Sequence, residues 1–389
     1  MTGRIQGINT RIAAAVEEAV PGAPFYRMWR GAHQLDLVVK RAVVQDYLEE
    51  SFYKKLTGLI GWLRRQQSFI LETGSKYPKV ADTRWLTIGR VLQWISSHKD
   101  EVIALLDLKE PDVKPPQAWW LAFLPLHMLM KDVDILFQRL QAADLLVSTQ
   151  KTLLNNFVAQ VVRIGNLEGP LDEESLESLD EESYHKLESF AMKKDSVENY
   201  ILASHFEAAN GFALLPAESK VAVKESVAKL LLTFVVGVDK IDPHLDATDK
   251  YPPCFPLDFA SMGRHDMMAL VQKHLPRLQV SFARRDIEAL QDEHSQLEEK
   301  FNSNVAFKDA LITEKATMSF EKAWNAHEKT YPSLHQVAGG LASVFPGTSR
   351  VEGDFSIINW EKNPNRKKLM DLSLEGVLHS KQMEVLRKM

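Results

Sequence analysis

The sequence predicts a mainly α fold, and three observations carry that expectation. Apolar residues recur at helical spacing over most of the chain, clearest over 4–20, 86–165 and 190–240. Only one short stretch, Phe25-Tyr26-Arg27-Met28-Trp29 between Pro24 and Gly31, has the aromatic, turn-bounded look of a strand. The remaining long segment, 264–330, is charged and amphipathic rather than alternating.

Taken in order, Ile5, Ile8, Ile12, Ala15, Val16 and Ala19 make the apolar side of a first helix, stopped by Pro21-Gly22. Gly31 opens a long helix to about residue 72, with a break expected near Gly58–Gly61. Residues 86–165 read as helical throughout. Trp119, Trp120, Phe123, Leu126 and Met130 form a stripe that suits a buried face between helices. Residues 167–189 are acidic and nearly repeat themselves (Leu171-Asp172-Glu173-Glu174-Ser175, Leu179-Asp180-Glu181-Glu182-Ser183), which predicts a solvated linker or short exposed helix. Helices resume over 190–240, the apolar run 222–238 being buried. Tyr331-Pro332 then breaks the pattern and Gly339-Gly340 leads into a final block.

Composition narrows the function classes. The 389 residues suffice for two or three domains, 45% hydrophobic and 25% charged residues are ordinary for a globular protein, and the net charge is −5 with a pI of about 6.2. A nucleic-acid contact would need a local basic patch against this mean field. A single cysteine, Cys254, excludes an internal disulfide and a Cys-rich zinc site. No signal peptide, membrane span or membrane partner is expected. The motifs of nucleotide-binding loops, serine hydrolases and zinc proteases are absent, and no small-molecule substrate is evident. His244, Asp246 and Asp249 fit an Asp/Pro turn better than a metal cluster.

Three blocks carry a family resemblance. The last is Gly347-Thr348-Ser349-Arg350-Val351-Glu352-Gly353-Asp354-Phe355-Ser356, followed by Asn363-Pro364-Asn365-Arg366-Lys367-Lys368-Leu369 and a Leu-rich stretch to His379. The second is Thr83-Arg84-Trp85-Leu86 ahead of a helical pattern, and the first is His33-Gln34-Leu35-Asp36-Leu37. In this order they resemble the hAT superfamily of cut-and-paste DNA transposases. Gly353 stands where that family usually has Arg, and Arg30 where it has Cys.

The resemblance implies an incomplete RNase H-like α/β core formed by the two chain ends, interrupted by a large all-α insertion. Its parts would be a core remnant over 1–80, the helical insertion over 81–335 with the acidic linker 167–189, and a C-terminal dimerisation and catalytic-acid block over 336–389. Glu352 would be the third acid of an Asp-Asp-Glu set holding two Mg²⁺ for phosphoryl transfer. Met1-Thr2-Gly3 resembles a segment just after the family's second Asp, so two acids would lie upstream. One carboxylate does not hold the pair, and the chain as given is expected to be inactive without cofactor. Mg²⁺ enters only if those acids are supplied. Glu352 also fits a helix N-terminal charge.

By the same resemblance Arg84, Trp85, Arg350, Arg366, Lys367 and Lys368 would contact DNA, with Trp85 near a DNA hairpin end. Phe355, Leu369, Leu372, Leu374, Val377 and Leu378 would serve dimerisation. The implied partners are DNA and a second copy, and the implied location is nuclear. Read from the residues alone, Trp85 suits a packing anchor and His33 a helix-start histidine bonded to backbone. Three functions stay open: a transposase-derived binding protein without catalysis, part of an active transposase, and a helical scaffold.

Overall fold

In the computed structural model, residues 14–19, 21, 31–49, 51–74, 85–142, 145–180, 183–241, 252–281, 284–316 and 319–342 are described. They are mainly helical, as expected. Residues 14–19 are helical, while the strand expected at 25–29 lies outside the described residues. So does the whole C-terminal block from 343 onward, so the RNase H-like part of the expectation has no described residues there.

Helix α1 (Gly31–Val39) runs on as a π-helical turn over Lys40–Gln45. The chain then reverses through Leu48 and Glu49, both left-handed at φ 47° and 52°, before α2 (Ser51–Leu63) and α3 (Gln67–Thr73). The break expected at Gly58–Gly61 is therefore misplaced. Both glycines lie inside α2, because Phe52, Leu56, Leu59, Ile60 and Leu63 are buried along one face. Burial at about 1.5–3 kcal/mol per large side chain outweighs about 1 kcal/mol lost per helical glycine.

Residues 86–165 are not one continuous helical run. They form α4 (Thr87–Ser97), α5 (Lys99–Lys109), α6 (Gln117–Leu140) and α7 (Val147–Gly165). Pro111, Pro115 and Pro116 keep the α5–α6 connection out of the helix, since proline donates no N–H. The expected aromatic stripe on α6 is buried except for the half-buried Trp120. Trp119 Nε1 donates to Phe52 O at 3.2 Å, and its ring stacks on Phe52 at 4.8 Å, which fixes α6 on α2.

The acidic stretch departs most from expectation. A short exposed helix, α8 (Glu173–Glu177), does form, capped by Asp172 Oδ1 accepting from Ser175 N at 2.8 Å. Around it, β1 (Leu167–Glu168), β2 (Tyr184–Leu187) and β3 (Phe190–Lys193) build an antiparallel sheet of order β1-β3-β2. The register pairs Leu167 with Met192 and Leu187 with Phe190. Phe190, Ala191 and Met192 are buried, and the sheet packs on α11. Pairing between strands, invisible to local charge counting, makes these residues a sheet.

Helices α9 (Lys194–Ala203) and α10 (Ala208–Ala213) lead to α11 (Ala217–Asp239), whose run from Leu230 to Val236 is buried all round. It packs against α1, α6, α7, α9 and the sheet. A first core thus draws on Leu35–Phe69 as well as Leu86–Ile241.

A second core extends from Phe259 to Ala338. It is built by α12 (Pro256–Ala260), α13 (Arg264–Ser281), α14 (Arg284–Ser303), α15 (Val305–Ala316), α16 (Phe320–Trp324) and α17 (Pro332–Ala342). Pro332 starts α17 rather than ending a helix, and Gly339-Gly340 lie inside it. Proline suits a first helical turn, where its missing N–H has no intrahelical partner. Leu146, Cys254, Phe255, Ala323 and Ala342 cluster where the two halves meet. Trp324 Nε1 donates to Cys254 O at 2.9 Å, which ties α16 to the segment before α12 beside that junction.

Candidate nucleic-acid interface

A concave surface that follows Trp85 in sequence lies along α4 and α6. On α6, His127, Lys131 and Asp134 are spaced by four and three residues, which aligns them on one side of the helix. On α4, Gly89, Gln93 and Ser97 recur every four residues, with Arg90 and Trp94 beside them. Together with His98 these residues line a cleft of about 350 Å³. Gly89 sets how closely the helices approach. A Cβ there would meet Asp134 Oδ2 at 2.4 Å.

His127 Nε2 lies 3.0 Å from Gln93 Oε1, which makes Nε2 the donor, and its ring stacks on Phe123. Burial pulls its pKa down to about 4, helped by Lys131 and His205, so the imidazole is neutral near pH 7. Burial pushes the Asp134 carboxyl up to about 6, and Arg90 opposes that shift. His98 stacks on Trp94 at 4.5 Å and holds its carbonyl through Nδ1 at 2.9 Å. Arg90 and Lys131 are exposed at the rim and carry the cleft's positive charge.

Trp85 stands two residues before α4 and is half-buried. Tyr53 meets its ring edge-on at 5.8 Å, and Lys40 Nζ lies over it at 5.5 Å. Leu86 N donates to Asp36 Oδ1 at 2.9 Å. That bond ties two of the three resemblance blocks together across 50 residues of sequence. His33, in the same helix as Asp36, is exposed in the first turn.

Of the residues singled out for DNA contact, only Trp85 is described. Arg84, Arg350, Arg366, Lys367 and Lys368 lie outside the described residues, as do Glu352, Phe355, Leu369, Leu372, Leu374, Val377 and Leu378. His244, Asp246 and Asp249 do too. Among the described residues, no group of three or more His, Cys, Asp and Glu side chains is arranged to hold a metal. Sequence reasoning missed Arg90, His127, Lys131 and Asp134. For the last three the signal was present as polar residues at i, i+4 and i+7 along α6.

Compared with family models, curated proteins and solved structures, the chain gives no match. No described helix is long and apolar enough to cross a membrane.

Proposed function

We propose that this chain is a hAT-transposase-like protein that binds nucleic acid along the start of its helical body. The observation supporting the reading is the Asp36–Leu86 hydrogen bond, which holds Leu86, next to Trp85, on the helix that carries His33–Leu37. The family's Arg-Trp pair opens its helical insertion beside the core, and Trp85 supports the same role here. Its ring offers a stacking face next to Lys40, and Arg90 and Lys131 follow along α4 and α6 as phosphate contacts. A base stacked on an aromatic ring is worth about 1–3 kcal/mol, enough to matter where net charge opposes binding.

Binding and association are the proposed activities. Association would use the C-terminal residues Phe355, Leu369, Leu372, Leu374, Val377 and Leu378, with a second copy as partner and the nucleus as the location. Phosphoryl transfer would require two further acids beside Glu352 to hold Mg²⁺.

The test is fluorescence anisotropy with a hairpin-ended DNA duplex over a salt series from about 50 mM upward. Expected are salt-dependent binding, loss of at least about tenfold in affinity in Trp85→Ala, and retention in Trp85→Phe. Arg90→Ala and Lys131→Ala should each lower the slope of log affinity against log salt by about 0.9. No binding at about 50 mM salt sinks the proposal and leaves Trp85 as a packing anchor against Tyr53.

A further inference from the structure

A cavity of about 910 Å³ lies where the two halves of the molecule meet, and it shares no lining residue with the α4–α6 cleft. Its size is that of sites for cofactor-sized molecules, which often sit at such junctions. One wall is the first turns of α7, another is α12 with the segment before it, and α13 and α15 close the rest.

Three lysines from three elements line it: Lys151 on α7, Lys273 on α13 and Lys315 on α15. Two aspartates, Asp258 and Asp266, share the lining. Asp258 is committed to the fold, because Oδ2 accepts from Cys254 N at 3.1 Å and Phe255 N at 3.0 Å while Oδ1 takes Lys315 Nζ at 2.5 Å. Asp266 stands in the first turn of α13, where the helix dipole favours its charge. The balance of formal charge is positive against a chain of net charge −5.

The start of α7 adds donors to this wall. Leu146, at its N-cap, has no side-chain oxygen, and the hydroxyl of Thr149 serves Leu146 itself. The first-turn N–H groups of this 19-residue helix therefore keep no side-chain cap. The Ser148 hydroxyl oxygen, at the same turn, is buried and has no hydrogen-bond partner among the described residues. A buried orphan hydroxyl at a cavity wall marks a missing polar partner. The lining also has an apolar part, with Pro252, Pro253, Phe255, Met262 and Ile312.

We propose that this cavity binds a small phosphorylated ligand with a flat body, the chemistry of a nucleoside phosphate. The phosphate meets the lysines and the amide end of α7. The body lies on the Pro252–Phe255 side, with Asn155 and Thr152 as polar contacts for its edge.

The probe is trinitrophenyl-ATP, followed by fluorescence on the full chain, with ATP and pyrophosphate as competitors. Expected are saturable binding, displacement by ATP at lower concentration than by pyrophosphate, and at least a tenfold loss of affinity in Lys151→Glu/Lys273→Glu. Ile312→Trp fills the cavity from a side chain that is already exposed, so it should also weaken binding tenfold while leaving the melting temperature near wild type. Trp85→Ala should leave probe binding unchanged, which separates this site from the DNA-binding surface. Absence of saturable binding overturns the proposal. So does binding unaffected by Ile312→Trp, which would put the probe on surface lysines, and so does pyrophosphate competing as well as ATP, which would leave a bare anion site.

Discussion

The Asp134 carboxylate rests directly on the backbone of Gly89: a Cβ at 89 would lie 2.4 Å from Oδ2 and 2.6 Å from Oδ1. Gly89→Ala must therefore turn the carboxylate away or part α4 from α6. Overpacking of this kind costs about 1–3 kcal/mol, against about 1 kcal/mol of helix propensity gained by alanine. The expected net loss is about 1 kcal/mol in urea unfolding. Gly89→Ala combined with Asp134→Ser should recover it, and a double-mutant cycle checks this. Additive effects would refute the contact.

The same cleft predicts two opposing pH dependences. Asp134 has its folded pKa raised to about 6, so between its model-peptide value of 3.8 and about 6 the native state binds more protons than the unfolded state. Its contribution is full below that window and is lost as pH rises through it. His127 is lowered to about 4, so between about 4 and 6.5 the unfolded state binds more protons and stability rises with pH. Asp134→Asn should stabilise the protein by about 1–2 kcal/mol at pH 7.5, discounted for the partial exposure of the carboxyl. It should also leave stability rising more steeply between pH 4 and 6.5. Chemical denaturation across that range reads both, and an unchanged slope rejects the assignment.

Gln150 reaches across 119 residues to satisfy the start of α1: Gly31 N donates to its Oε1 at 3.2 Å, buried. Gly31 is the first residue of α1, and its N–H has no acceptor within the helix. Gln150→Leu keeps volume but strands that donor, at an expected cost of about 1–3 kcal/mol. Gln150→Glu keeps the acceptor but buries a carboxyl, so it should restore the loss only at acid pH, where that group is protonated. Equal stability of the leucine variant and wild type would show that water reaches Gly31.

Cys254 is the one cysteine of the chain, buried between the two halves, and burial with Asp258 nearby pushes its thiol up to about 12. Thiol reagents attack the thiolate, so modification of the native protein should be slow and should follow opening of this junction. Trp324→Phe removes the donor to Cys254 O and should accelerate labelling with Ellman's reagent by about tenfold, the effect of about 1.4 kcal/mol on local opening. Labelling at the rate of a free thiol in the wild type would contradict the burial.

Much of the helical content was legible locally. Within the run 222–238, the stretch 230–236 reads as buried because only Thr233 interrupts its apolar residues, and α11 is buried all round there, while Glu225 and Lys229 are exposed. The stripe from Trp119 to Met130 likewise falls on one face of α6. The sheet was hidden. Phe190-Ala191-Met192 follows an acidic stretch that looks solvated, and only pairing with Leu167-Glu168 and Tyr184–Leu187 makes it a strand. Breaks were misplaced where φ rather than composition decides: Leu48 and Glu49 turn the chain, while Gly58 and Gly61 do not.

In the candidate site, Trp85 was found from its neighbours in sequence, whereas its partners were not. Lys40 and Tyr53 reach its ring from the π-helical turn and from α2, and Asp36 on α1 holds the neighbouring Leu86. Nothing in the local pattern of 83–86 names them.

By itself the sequence determined the helical class, the buried helices and the order of the three blocks resembling hAT transposases, because periodicity, turn residues and motif spacing are properties of the chain read in line. Tertiary structure alone decided that Asp36 holds Leu86, that His127, Lys131 and Asp134 face Gly89, and that Lys151, Lys273 and Lys315 converge on one cavity. These are contacts between segments tens to more than a hundred residues apart, and they arise only when the apolar faces of separate helices are packed together. The pKa values of His127 and Asp134 belong to the same class, since burial sets them and burial is a property of the packed molecule.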